Sequence, residues 1–138
     1  MSWLTDRLKD VVHSAGLVEN VTAGKTCDAS LDNGKTFILA DAAPGTITLP
    51  AVTNTGFHCR VIVGAALTDD GVLASAEGDN MEGSLVVAGA AVTVDAADQI
   101  NFVDTAENIG DQVDVISDGT YWHVKGIGLT TGSITATG

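Results

Sequence analysis

Polar and apolar residues alternate along most of this chain at the two-residue period of strands, whose successive side chains point to opposite faces. The alternation is cleanest in two places. Thr46-Ile47-Thr48-Leu49-Pro50 sets Ile47 and Leu49 on one face, and Phe57 to Val63 sets Phe57, Cys59, Val61 and Val63 inward, opposite His58, Arg60 and Ile62. Lys35 to Leu39, Val72 to Ala74, Ser84 to Asp95 with a break at Gly89, and Gln99 to Asp104 read as further strands, the last with Ile100 and Phe102 on one face. Turn-forming residues separate them: Asp32-Asn33-Gly34, Asp41 to Gly45, Asp69-Asp70-Gly71 and Glu77 to Asn80. Between Gly16 and Gly34 the pattern is weak, and no repeat of fixed period is visible.

The stretch from Gly110 to Gly128, GDQVDVISDGTYWHVKGIG, carries the strongest hairpin signal. Gln112 to Ser117 and Tyr121 to Ile127 read as its strands, and Asp118-Gly119 supplies the positive φ angles of a tight primed turn. Trp122 follows at once, large enough to anchor a core. The tail from Leu129 to Gly138 is rich in Thr, Gly and Ser with little but Ile134 to bury, which predicts either a strand that pairs with a neighbouring chain or a frayed end.

Only Ser2 to Ser14 has a helical period. Met1, Leu4, Leu8, Val11, Ala15 and Val18 fall at alternating three- and four-residue steps, Trp3 and Val12 widen the stripe, and Gly16 is a stop signal. Such a helix either packs on its own β body or serves as an arm that binds another protein or further copies of itself. Barely two heptads are marginal alone in water, so a bundle would need the body to hold it together. The predicted fold is therefore mainly β: an antiparallel β-sandwich or barrel, jelly-roll-like, of eight or nine strands with one short N-terminal helix. Residues 1–20 form a helical arm and residues 21–138 a β domain with an extended C-terminal tail.

Composition narrows the function. The 138 residues suit one domain, and a chain 45% hydrophobic but only 4% aromatic must build its core from Val, Ile, Leu and Ala. Six basic against 18 acidic residues give a net charge of -12, which repels phosphate backbones and anionic membranes, so neither nucleic acid nor membrane is an expected partner. Residues 1–35 hold 4 of the basic and 5 of the acidic residues. That leaves 2 basic (Arg60 and Lys125) and 13 acidic for the rest, a charge of -11. A near-neutral leading end on an acidic body suits an end that docks and a body that faces solvent. Cys27 and Cys59 have no metal-ligand spacing and no activating neighbour. No secretory h-region or membrane-spanning run is present, which predicts synthesis and folding in the cytoplasm.

The candidate chemistry is thin. Asp69 with Asp70, Glu77 with Asp79 and Asp95 with Asp98 are the carboxylate pairs that glycoside hydrolysis would need, but they sit in turns where Asp caps its own backbone. His13, His58 and His123 are dispersed, Ser117 lacks a nucleophile-elbow setting, and no phosphate loop or calcium-loop spacing occurs. No enzymatic activity, metal, cofactor or small-molecule substrate is expected.

The order of Thr48-Leu49-Pro50, Gly78-Asp79 with Gly83, Gly110-Asp111, and Ser117-Asp118-Gly119 with Trp122 and Val124 resembles a β domain of tailed-phage virion proteins. The likeness covers roughly residues 36–128 and leaves the leading helix outside. It implies a capsid decoration (cement) protein, a head fibre or a tail-fibre module, usually trimeric. The expectation that follows is a viral structural protein assembled in the host cytoplasm. That protein would be a homotrimer on the capsid surface of the virion that binds the major capsid protein and stabilises the shell; the amphipathic stripe and the charge asymmetry, outside the resemblance, offer Trp3, Leu4, Leu8, Val11 and Val12 as the contact residues. The alternative is a fibre module that recognises a host-surface glycan or receptor through Tyr121, Trp122 and the acidic turns.

Overall fold

A computed structural model of the chain describes residues 17–138. The leading stripe with Trp3, Leu4, Leu8, Val11 and Val12 lies outside the described residues, and Val18, read as its last position, belongs to a strand. Twelve strands make up the fold: β1 (Val18–Val21), β2 (Lys25–Thr26), β3 (Thr36–Leu39), β4 (Thr46–Thr48), β5 (His58–Val63), β6 (Gly71–Ala74), β7 (Met81–Val87), β8 (Ala90–Ala97), β9 (Gln99–Phe102), β10 (Gln112–Ser117), β11 (Trp122–Gly128) and β12 (Ile134–Thr137). They form a seven-stranded sheet in the order β1-β3-β5-β10-β11-β7-β8 and a five-stranded sheet in the order β12-β9-β6-β4-β2.

Both sheets are mixed, which corrects the antiparallel expectation. The first six strands alternate between the sheets, so each turn of chain returns beside its predecessor in the same direction: β1, β3 and β5 pair in parallel, and so do β2, β4 and β6. The turn residues between these strands carry the chain across to the other sheet instead of folding it back as hairpins. The result is three turns of a coil, a structural repeat that the sequence hides. The step from Val18 to its partner Thr36 is 18 residues and from Thr36 to Arg60 it is 24, so no fixed period exists. The second half closes the coil with two hairpins, β10 lying antiparallel on β5 and β11 parallel on β7, while β9 pairs with β6 and β12 with β9.

Inward residues of both sheets form one buried cluster, as in a β-sandwich. Phe37, Leu39, Ile47, Leu73, Leu85, Ile100, Phe102 and Trp122 are among its large, fully buried members. The predicted inward faces at Ile47 and Leu49, at Phe57, Cys59, Val61 and Val63, and at Ile100 and Phe102 all hold. The tail does not fray or leave the molecule: β12 pairs with β9 of its own chain and buries Ile134.

The open end of the coil is closed by charge. Glu19 and Lys25 sit on the inward side of the edge strands β1 and β2, and there they join Asp32 and Lys35. Each lysine touches both carboxylates, at 2.8 and 3.3 Å for Lys25 and 2.8 and 2.9 Å for Lys35. Lys25 also lies 5.8 Å from the centre of the Phe37 ring, and the Asp32 carboxylate accepts from the Asp28 N–H at 2.7 Å. Inward charges on edge strands discourage another sheet from adding to them.

The Gly110–Gly128 hairpin forms with a different turn from the one expected. Ser117 pairs with Trp122, so four residues make the loop, and of Asp118 and Gly119 only Gly119 has positive φ. The Asp118 carboxylate holds the loop instead, accepting from the N–H groups of Thr120 and Tyr121 at 2.8 Å each and lying 2.7 Å from His123 Nε2. The two-residue primed turn occurs elsewhere, at Ala88 (φ 51°) and Gly89 (φ 79°) between β7 and β8.

These ion pairs and turns make stability depend on acid. The Tyr121 N–H, His123 and the Thr120 N–H pull the Asp118 carboxyl down to about 2 from its ordinary 3.8. Burial raises Glu19 and Asp32, but hydrogen bonds and the charges of Lys25 and Lys35 outweigh it and leave both lowered. A lowered carboxyl binds fewer protons folded than unfolded, so its stabilisation is full above the unfolded value and is lost as pH falls toward the folded one. Thermal unfolding is expected to hold steady from neutral pH to about 5 and then fall in Tm down to pH 2. A flat Tm across that range would contradict these assignments.

Candidate interaction face

The outer surface of the seven-stranded sheet brings together residues far apart in sequence. Outward positions on neighbouring strands fall into rows fixed by register. One row runs Val86–Ile127–Gln112–Ile62–Ile38 across β7, β11, β10, β5 and β3, and is apolar but for Gln112. Beside it runs Ser84–Lys125–Asp114–Arg60–Thr36, and then Glu82–His123–Ile116–His58. Val86 and Ile127, side by side, and Ile116, beyond the charged row, are 45–50% exposed, a high value for residues of this type.

Arg60 and Lys125, the two cations of residues 36–138, thus stand on one face, and His58 and His123 stand there with them. Arg60 grips Asp114 through two hydrogen bonds, Nε to Oδ1 at 2.6 Å and Nη2 to Oδ2 at 3.1 Å. Lys125 reaches the same carboxylate only at 4.0 Å and its side chain is 80% exposed, so it remains available to a partner. His58 Nδ1 lies 3.1 Å from the Gly56 carbonyl oxygen. An open depression of about 580 Å³ lies between these groups, lined by Thr36, His58, Arg60, Ile116, His123 and Lys125 among others.

The opposite face of the molecule differs. The outward side chains of the five-stranded sheet are Thr26, Thr46, Thr48, Val72, Ala74, Gln99, Asn101, Thr135 and Thr137, with no ionised group. The Asn101 amide donates to Thr135 and Thr137 and accepts from Gln99, which fixes a flat polar ladder.

One carboxylate of each pair singled out as an acid/base candidate is occupied by the backbone. Asp70 Oδ1 accepts from Asp104 N–H at 2.8 Å, Glu77 Oε1 from Val52 N–H at 2.9 Å, and Asp98 Oδ1 from Asp79 N–H at 2.7 Å. Asp70 also hydrogen-bonds the Asp104 carboxyl and raises it, a pairing invisible in the sequence. Among the described residues no three of His, Cys, Asp and Glu are grouped to hold a metal, and no helix is long and apolar enough to cross a membrane. Cys27 and Cys59 are buried free thiols; burial, then the nearby Asp32 carboxylate, pushes Cys27 up to about 12, and burial likewise raises Cys59. Of the aromatic pair proposed for a glycan, Tyr121 is exposed but Trp122 is fully buried, edge-on to Phe57 at 5.9 Å.

His58, Arg60 and Ile62 were legible as outward positions. What sequence reasoning missed is that β10 and β11 lie beside β5, which sets His123, Lys125, Ile116 and Ile127 next to them. The chain matches no protein family and no curated protein.

Proposed function

We propose that the protein is a structural component of a phage virion: a capsid decoration subunit that binds the outer shell surface as a trimer and stabilises it. The observation that carries this reading is the gathering of Arg60, Lys125 and an exposed apolar row onto one broad sheet face of an acidic body. Such a face has the make-up of a protein contact, with an apolar strip flanked by polar and charged groups. The carboxylates best placed for chemistry support turns instead, and the order of the turn and hairpin motifs resembles that of virion β domains. In this reading the leading segment, with Trp3, Leu4, Leu8, Val11 and Val12, attaches to the major capsid protein. Three linked footprints convert modest single contacts into firm attachment through effective concentration. Removal of residues 1–15 is expected to abolish binding to undecorated shells while leaving the β body folded, read by co-sedimentation and circular dichroism. Truncated protein that binds shells as well as the full chain would overturn the docking assignment.

A further inference from the structure

We infer that the outer face of the seven-stranded sheet is the contact between copies of this chain, and that the contact is heterologous: the basic row of one copy seats on acidic surface of the next. The inference rests on reading the protein as an assembly subunit, and adds which surface joins the subunits and how.

Charge selects the occupant. Residues 36–138 carry 13 acidic side chains and two cations, and both cations stand on this face with Asp114 and Glu82; Asp114 is taken up by Arg60, which leaves Lys125 as the charge free for a partner. A second copy is therefore itself an acidic partner for that row, present at the same concentration. Charge also selects the geometry. A two-fold contact requires this face to be complementary to itself, whereas a head-to-tail contact sets Lys125 on carboxylates elsewhere on the next copy and generates a ring if its rotation closes.

The area suffices. Seven strands at ~4.8 Å spacing, six to seven residues long at the centre, give a plan of roughly 600 Å². That is the order of the ~800 Å² per partner found in specific interfaces. Val86 and Ile127 supply apolar surface on one side of the charged row and Ile116 on the other, and Lys125, poorly paired within its own subunit, supplies the charge between them.

The test is the solution mass of the full chain by sedimentation equilibrium, for wild type, Lys125→Glu, Ile127→Glu, and a Thr26→Glu/Thr46→Glu control that adds the same charge as Lys125→Glu on the opposite sheet. Lys125→Glu and Ile127→Glu are each expected to weaken self-association by about ten-fold or more, and the control to leave it near wild type. Hydroxyl-radical footprinting of wild type is expected to show Ile116 and Ile127 protected in concentrated but not in dilute protein, a readout that needs no variant to fold. Wild type that stays at 14.0 kDa at every concentration would overturn both this inference and the subunit reading. Wild type that assembles while both face variants assemble equally well, or while the control dissociates as they do, would overturn the interface alone.

Discussion

Gly83→Ala is expected to destabilise the protein by on the order of 3–5 kcal/mol, enough to prevent folding in a domain of ordinary stability. Gly83 lies at the bulge in β7, with φ at +148°, directly opposite Val124 of β11. A Cβ there would lie well inside van der Waals contact of the Val124 carbonyl oxygen and 2.9 Å from its carbonyl carbon. The obstacle is backbone in the interior of a seven-stranded sheet, so no side-chain rotation relieves it. Relief requires parting β7 from β11 and breaking ladder hydrogen bonds, on top of the strain of the backbone angle. Gly89→Ala is the control: its φ is +79° but nothing lies within 4 Å of the added methyl, so only conformational strain of about 1–2 kcal/mol remains. Urea unfolding midpoints compare the two, and a Gly83→Ala protein within about 1 kcal/mol of wild type would contradict the packing of β7 on β11.

Trp122→Ala is expected to cost about 3–5 kcal/mol. The side chain is fully buried at the start of β11, perpendicular to Phe57 across 5.9 Å, and its removal leaves a cavity that strands pinned on both sides cannot collapse into. Its indole N–H finds no acceptor among the described residues. Trp122→Phe therefore removes volume but also removes an unsatisfied buried donor, and its cost is expected to be clearly smaller, about 1–2 kcal/mol. Equal losses for the two variants would contradict this account, because the retained ring would then recover neither the volume nor the edge-on contact with Phe57.

Which parts of this fold could be read from the chain follows from how local each determinant is. Alternation depends only on a residue and its neighbours, so the inward sets at Phe57 to Val63 and at Gln99 to Asp104 were visible, and so was the existence of the β10–β11 hairpin. Direction of pairing is not local. Nothing in Thr36–Leu39 states that its neighbours will be β1 and β5 in parallel, because the chain between them leaves for the other sheet. β1 and β2 escaped notice since their inward positions hold Glu19 and Lys25, charged residues neutralised by Asp32 and Lys35 from the loop that follows. The turn at Asp118-Gly119 was misassigned because Asp118 closes the loop with its side chain, an outcome that dipeptide preference does not encode. The interaction face was illegible for the same reason as the sheet order. Arg60 and Lys125 are 65 positions apart in the numbering and two strands apart in the fold.

The capsid-decoration reading proposed above is tested most directly by sedimenting the protein with undecorated tailed-phage capsid shells over a range of protein concentrations. Saturable co-sedimentation that levels off at a number of bound chains divisible by three per repeating unit of the shell is the expected result. Full-length protein that remains in the supernatant at concentrations where it is folded would contradict the account.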